Sequence, residues 1–156
     1  MSTTTVSAPV RGRALPLQDV PDPVFSQGMV GHGAAVDPPH EVVDAVAPVA
    51  GKVLKLMPHA YIIMTSDNVG VLVHLGLDTV ALNGEGFTAH VNQGDDVTAG
   101  QIVISYDVPA IVAKGLNPIV PVVVMDEREA DHIAVAEAVT AGVGIGAGAH
   151  LFTARK

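Results

Sequence analysis

The chain has no cysteine among its 156 residues, which excludes disulfides, thiolate metal sites and a cysteine nucleophile. Aromatic residues are scarce, at 3%. Basic residues are few as well: 8 Lys and Arg stand against 16 Asp and Glu, a net charge of −8. That balance opposes binding to nucleic acid or to an anionic membrane and favours a basic protein partner. No apolar run approaches the roughly 18 residues needed to cross a bilayer. Met1 to Ala8 lacks the basic start and apolar stretch of a signal peptide. A cytoplasmic protein with no membrane insertion is expected.

What the chain does have is 49% hydrophobic residues, enough for one packed core in a domain of ordinary size. The reading is a flexible polar tail over residues 1–7 followed by a single domain over residues 8–156. Val, Gly and Pro recur in short segments, a pattern of many strands joined by tight turns. The expected fold is all-β, an antiparallel sandwich or barrel with short peripheral helices. Val71 to Leu75, Gln101 to Tyr106 and Ile119 to Met125 read as strands, with Pro121 marking an edge or a bend in the last. One helix is expected over Asp126 to Val139, where Asp126 serves as cap and Glu127 and Glu129 face the positive end of the dipole.

An internal repeat is visible. Ala8-Pro9-Val10-Arg11-Gly12-Arg13-Ala14-Leu15 returns as Ala47-Pro48-Val49-Ala50-Gly51-Lys52-Val53-Leu54, and Val97-Thr98-Ala99-Gly100 returns as Val139-Thr140-Ala141-Gly142. Two copies imply internal pseudo-symmetry rather than a solenoid. The stretch Gly142 to Gly148 is read as a loop. It lacks the GK[ST] ending of a nucleotide cradle and opens no helix.

Chemistry then falls to histidine, the side chain best suited to react near neutral pH. Seven are present. His74 lies in an apolar strand, where alternation puts Leu72 and Gly76 on its own face and Val73 and Leu75 on the other. His59 opens a second apolar run, and Asp67-Asn68 supplies a turn between the two, so a hairpin brings the two rings together. Paired imidazoles suit phosphoryl transfer. One ring attacks phosphorus while its other nitrogen is held by a hydrogen bond, near the Gly76 carbonyl, and the second ring donates to the phosphoryl oxygens. Two other readings compete on these residues alone: a packed histidine with both nitrogens satisfied, and two ligands of a zinc site.

The segment Val73-His74-Leu75-Gly76-Leu77-Asp78-Thr79-Val80, followed by Leu82-Asn83-Gly84-Glu85-Gly86-Phe87, resembles the phosphohistidine motif of the glucose-type IIA components of the bacterial sugar phosphotransferase system. Similar stretches occur in order from Val20-Pro21-Asp22-Pro23-Val24-Phe25 to Pro121-Val122-Val123. The resemblance implies a duplicated hybrid β motif. It implies that His74 accepts a phosphoryl group from phospho-HPr and passes it to a cysteine of the IIB/IIC sugar permease, with His59 steadying the group and no cofactor. Asp22 and Asp78 match acidic positions that meet HPr, and Val24, Phe25, Leu72 and Val80 match its apolar docking surface; Gly76 and Thr79 are structural neighbours. It also implies regulatory target proteins, with His59 and His74 as zinc ligands in such a complex. Asn68 replaces a glycine of the motif, and Met57-Pro58 replace the usual threonine and its neighbour. Glucose and N-acetylglucosamine are equal candidates for the sugar.

Other classes remain alongside. A zinc hydrolase needs a third ligand and a general base. A swinging-arm carrier needs a lysine at the Gly94 to Gly100 turn, and the lysines lie instead at 52, 55, 114 and 156. A purely regulatory binder, switched by phosphorylation of His74, needs no further residue.

Overall fold

Runs such as Val71-Leu72-Val73 and Val122-Val123-Val124 favour extended backbone because branched side chains pack well on a pleated surface. In the computed structural model, which describes residues 3–155, they form strands of a predominantly antiparallel β fold. The strands are β1 (Thr3–Ser7), β2 (Gly12–Pro16), β3 (Gly31–Asp37), β4 (Val42–Val46), β5 (Gly51–Met57), β6 (Ala60–Met64), β7 (Gly70–His74), β8 (Phe87–Ala89), β9 (Asp96–Val97), β10 (Ile102–Asp107), β11 (Val120–Met125), β12 (Ile133–Val135), β13 (Gly144–Ile145) and β14 (His150–Arg155). The α-helices are short: α1 (Pro23–Ser26), α2 (Val108–Ala113) and α3 (Glu137–Ala141).

One curled sheet has the order β13-β2-β3-β11-β7-β6-β5-β9, and two three-stranded sheets have the orders β1-β14-β12 and β4-β10-β8. The arrangement is a duplication. The large sheet divides between β11 and β7 into two four-strand halves, and the small sheets form a matching pair. The first repeat seen in the sequence occupies equivalent places. Ser7 N–H bonds Pro48 O and Val46 N–H bonds Pro9 O, while Gly148 N–H bonds Ala8 O and Gly100 N–H bonds Ala47 O. The second repeat is not equivalent in space. Val97 ends a strand, whereas Val139 lies in α3; the matching bonds pair Val53 with Asp95 and Ala14 with Val143, so β13 is the counterpart of β9.

Between the sheets lies the main core, built on Tyr61, Ile63, Val71, Val73, Ile104, Tyr106, Leu151 and Phe152. A second, smaller cluster sits on the other face of the large sheet and includes Phe25, Ala60, Leu72, Ile119 and Val123. Alternation along β7 sends Val71 and Val73 to the first cluster and Leu72 to the second.

Four expectations are corrected. Residues 3–7, read as part of a flexible tail, form β1 against β14 and bury Val6 completely; alternating Thr and Val gives the segment one apolar face to bury. Residues 1 and 2 lie outside the described residues. Pro121 marks neither an edge nor a bend. It sits inside the large sheet opposite Ala35 of β3, and pairing with β7 begins only at Val122, so its missing N–H costs no ladder bond there. The helix expected over Asp126 to Val139 forms only at its end, where Glu137 to Val139 enter α3: Asp126 has φ 62, a 3-10 turn spans Ala130–His132, and Ile133–Val135 joins β14 as β12. Tertiary pairing of Ile133 and Val135 overrides a weak helical preference. Within the glycine-rich loop, Gly144–Ile145 pairs with β2 as β13.

Candidate phosphoryl-transfer site

The β6–β7 hairpin positions both histidines. Its turn closes through Asn68 N–H to Thr65 O and Val69 N–H to the Thr65 hydroxyl. Asn68 adopts φ 60, the left-handed conformation that asparagine tolerates better than most residues, so it serves where the motif has glycine. Ala60 is then opposite His74, and one step further Leu75 N–H bonds His59 O at 2.7 Å. The two rings meet edge-on, with centroids 5.1 Å apart and planes at 73°. Phe25 covers another side of His74 at 5.2 Å.

His74 Nδ1 lies 2.6 Å from Gly76 O. A carbonyl only accepts, so this contact requires the proton on Nδ1 and leaves the Nε2 lone pair free in the neutral ring. The turn that presents this carbonyl is held on several sides. Gly76 has φ +86, and a Cβ there would lie 2.6 Å from Thr79 Cγ2 and 3.2 Å from Asn117 O; glycine is required. The buried Thr79 hydroxyl donates to Leu75 O at 2.8 Å. Gly76 N–H bonds Ile119 O and Leu77 N–H bonds Asn117 O. The sequence marks neither Asn117 nor Ile119, the latter read only as the start of a strand, as a partner of this turn, because nothing local to either signals a partner so far along the chain.

Both imidazoles favour the neutral form. Burial lowers the His74 pKa, opposed in turn by the bond to Gly76 and by the Asp22 and Asp78 charges. Burial also lowers His59, and the neighbouring His74 charge adds to it. Asp22 caps α1 by accepting from Val24 N–H at 3.0 Å, and Asp78, with φ 61, opens the 3-10 turn Thr79–Leu82. The residues expected to dock a partner divide by exposure. Val24 and Val80 are 45% and 63% exposed, but Phe25 and Leu72 are only 6% and 7% exposed. Phe25 and Leu72 therefore form the packed floor beneath the site rather than its open surface. Apolar Phe25 on a four-residue helix turns inward because the second cluster offers the nearest cover from water.

Elsewhere, His90 bonds Ser105, His132 bonds Glu127 and His150 bonds Thr153. Among the described residues, no three His, Cys, Asp or Glu side chains gather as metal ligands. No helix of the described residues is long and apolar enough to cross a membrane.

Comparison with known proteins identifies the family. The family model for the phosphoenolpyruvate-dependent sugar phosphotransferase system, EIIA 1, matches residues 4–130. The chain is 45% identical to a glucose-specific EIIA component of Oceanobacillus iheyensis, over 88% of this chain and 85% of that one. It is 40% identical to a glucose-specific EIIA component of Bacillus anthracis, over 90% and 85%. The fold superposes on glucose permease IIA from Mycoplasma capricolum with a TM-score of 0.84 and 30% identity, covering 98% of this chain and 96% of the other. With a duplicated β fold and a motif histidine tethered through Nδ1 to the Gly76 carbonyl, the chain belongs to the EIIA type 1 family of the sugar phosphotransferase system.

Proposed function

We propose that Nε2 of His74 is the atom that carries the phosphoryl group in this protein, a phosphoryl carrier of the sugar phosphotransferase system. The observation that supports it is the Nδ1 contact with Gly76 O at 2.6 Å, which selects the tautomer with a nucleophilic Nε2. In the first transfer the bond from phosphorus to its donor, phospho-HPr, breaks as the bond to Nε2 forms. The His74 ring then carries positive charge, its proton retained on Nδ1 and donated in a hydrogen bond to Gly76 O. In the second transfer the phosphorus passes to a thiolate of the IIB permease, and neutral His74 is restored. Such transfers depend on in-line placement and electrostatic stabilisation.

His59 sits edge-on to His74 and supplies an N–H for the phosphoryl oxygens. Asp22 and Asp78 flank the ring with negative charge and steer a basic donor surface, while Val24 and Val80 present apolar contact. Relatives named glucose-specific favour glucose as the sugar.

The test is to incubate the purified protein with phosphoenolpyruvate, enzyme I and HPr and to follow intact mass. Wild type is expected to gain one acid-labile phosphoryl group; His74→Ala gains none, and His59→Ala gains it but fails to pass it on. No gain by wild type overturns the carrier assignment and leaves a regulatory binder as the reading to pursue.

A further inference from the structure

The Gly76 carbonyl selects the reactive tautomer of His74 only if the turn around it stays where it is. Its backing is the segment Asn117-Pro118-Ile119, whose carbonyls take the Gly76 and Leu77 N–H groups at 3.1 and 2.9 Å. That segment is itself held at two points. Asn117 Oδ1 accepts from Ile119 N–H at 3.0 Å. From behind, the hydroxyl of Tyr106 donates to Pro118 O at 2.9 Å. Tyr106 stands on β10, a strand of a different sheet from His74.

The packing of this hydroxyl is unusually close to the turn. A Cβ on Gly76 would lie 2.9 Å from Tyr106 Oη, so the hydroxyl occupies the space that the missing side chain leaves. The ring is fully buried and stacks on Phe87 with centroids 5.4 Å apart. A phenylalanine would fill the same volume and make the same stack. What tyrosine adds is one donor, and that donor is spent on the peptide between the two carbonyls that hold the Gly76 turn. Burial raises the phenol pKa far above its usual value, with a smaller contribution from Asp37, so the group remains a donor at every working pH.

We propose that Tyr106 is a positioning residue for His74: its hydroxyl fixes the Asn117–Ile119 backing, which holds the Gly76 carbonyl on Nδ1 and so keeps Nε2 unprotonated for attack. This rests on the assignment of His74 as the phosphoryl acceptor. Loss of the hydroxyl frees Pro118 and lets the turn relax, and the Nε2–H tautomer, which cannot attack phosphorus, gains population.

The experiment compares wild type with Tyr106→Phe and Asn117→Ala, which loosen the same segment from its two sides. Tyr61→Phe is the control, because Tyr61 is another fully buried tyrosine whose hydroxyl donates to a backbone carbonyl, Val46 O at 2.7 Å, away from the turn. Two-bond 15N–1H correlation spectra report the His74 tautomer directly and need no partner protein. Phosphoryl transfer from phospho-HPr is measured alongside. Tyr106→Phe and Asn117→Ala are expected to raise the Nε2–H fraction and to lower the maximal transfer rate roughly three- to tenfold with KM unchanged. Tyr61→Phe is expected to lose thermal stability without either effect. Wild-type tautomer and rate in Tyr106→Phe would overturn the proposal, and so would the same tautomer shift in Tyr61→Phe. A wild-type protein that HPr does not phosphorylate would remove the carrier assignment instead, while the spectra still decide whether Tyr106 sets the tautomer.

Discussion

His74 is tied through Nδ1 to the carbonyl of Gly76, two residues on, at 2.6 Å. A β-strand normally points residues i and i+2 along one face without bonding them. Here the strand ends at His74, and the left-handed Gly76 swings its carbonyl back onto the ring that precedes it.

Gly76→Ala is therefore expected to do two things at once. The new Cβ meets Thr79 and Asn117 and must adopt φ +86, which costs about 2 kcal/mol or more of stability. The displaced carbonyl also releases the His74 tautomer. Urea denaturation together with the His74 nitrogen spectrum checks both; a stable variant with an unchanged spectrum would count against the tether.

The residues proposed to dock phospho-HPr separate by burial. Val80→Asp places a charge on a side chain that is 63% exposed, beside Asp78. It is expected to raise the KM for phospho-HPr about tenfold while leaving the maximal rate and the melting temperature close to wild type. Phe25→Ala removes a ring that is 6% exposed and is expected to cost about 3 kcal/mol of stability. Steady-state transfer kinetics and thermal melts on the two variants distinguish surface from floor.

The histidine pair makes the stability of the fold depend on pH. Both folded pKa values lie below the ordinary 6.5, so the unfolded chain binds more protons than the folded one as pH falls through 6.5. The stabilising contribution is complete above that value. It declines from there down to the depressed folded values. Phosphoryl acceptance, which needs neutral His74, is expected to hold steady across pH 7 and to fall only below 6.5. A His59→Ala, His74→Ala double variant should show a shallower loss of stability over that window; an unchanged slope would exclude the pair as its source.

Residues 1–7 can be deleted as a test of β1. Val6 is wholly buried and the strand pairs with β14 along its length. Deletion is expected to lower the unfolding free energy by at least about 2 kcal/mol, seen as a lower urea midpoint. A midpoint equal to that of the full chain would return the segment to the status of a tail.

Much of this molecule was legible before any tertiary contact was known. The β class, the hairpin between His59 and His74, the turn at Asn68 and the repeat of Ala8 to Leu15 at Ala47 to Leu54 all rest on patterns confined to a few neighbouring residues. Branched side chains, alternation and turn residues act locally, so they can be read locally. The glycine at 76 was likewise marked by the motif around His74.

Other features were decided only when distant segments met. Val6 and Ile133 became strand residues because β14 offers both of its edges. Pro121 entered the sheet interior because its position falls beyond the end of the β7 ladder. Phe25 and Leu72 turned from surface to floor because the second cluster closes over them, and Tyr106 reached the His74 turn from another sheet. Each depends on register and on burial summed over residues far apart in the chain. A local pattern reports which conformations a segment favours; the free energy of hiding its apolar face and satisfying its backbone is set by whichever partner the fold brings to it.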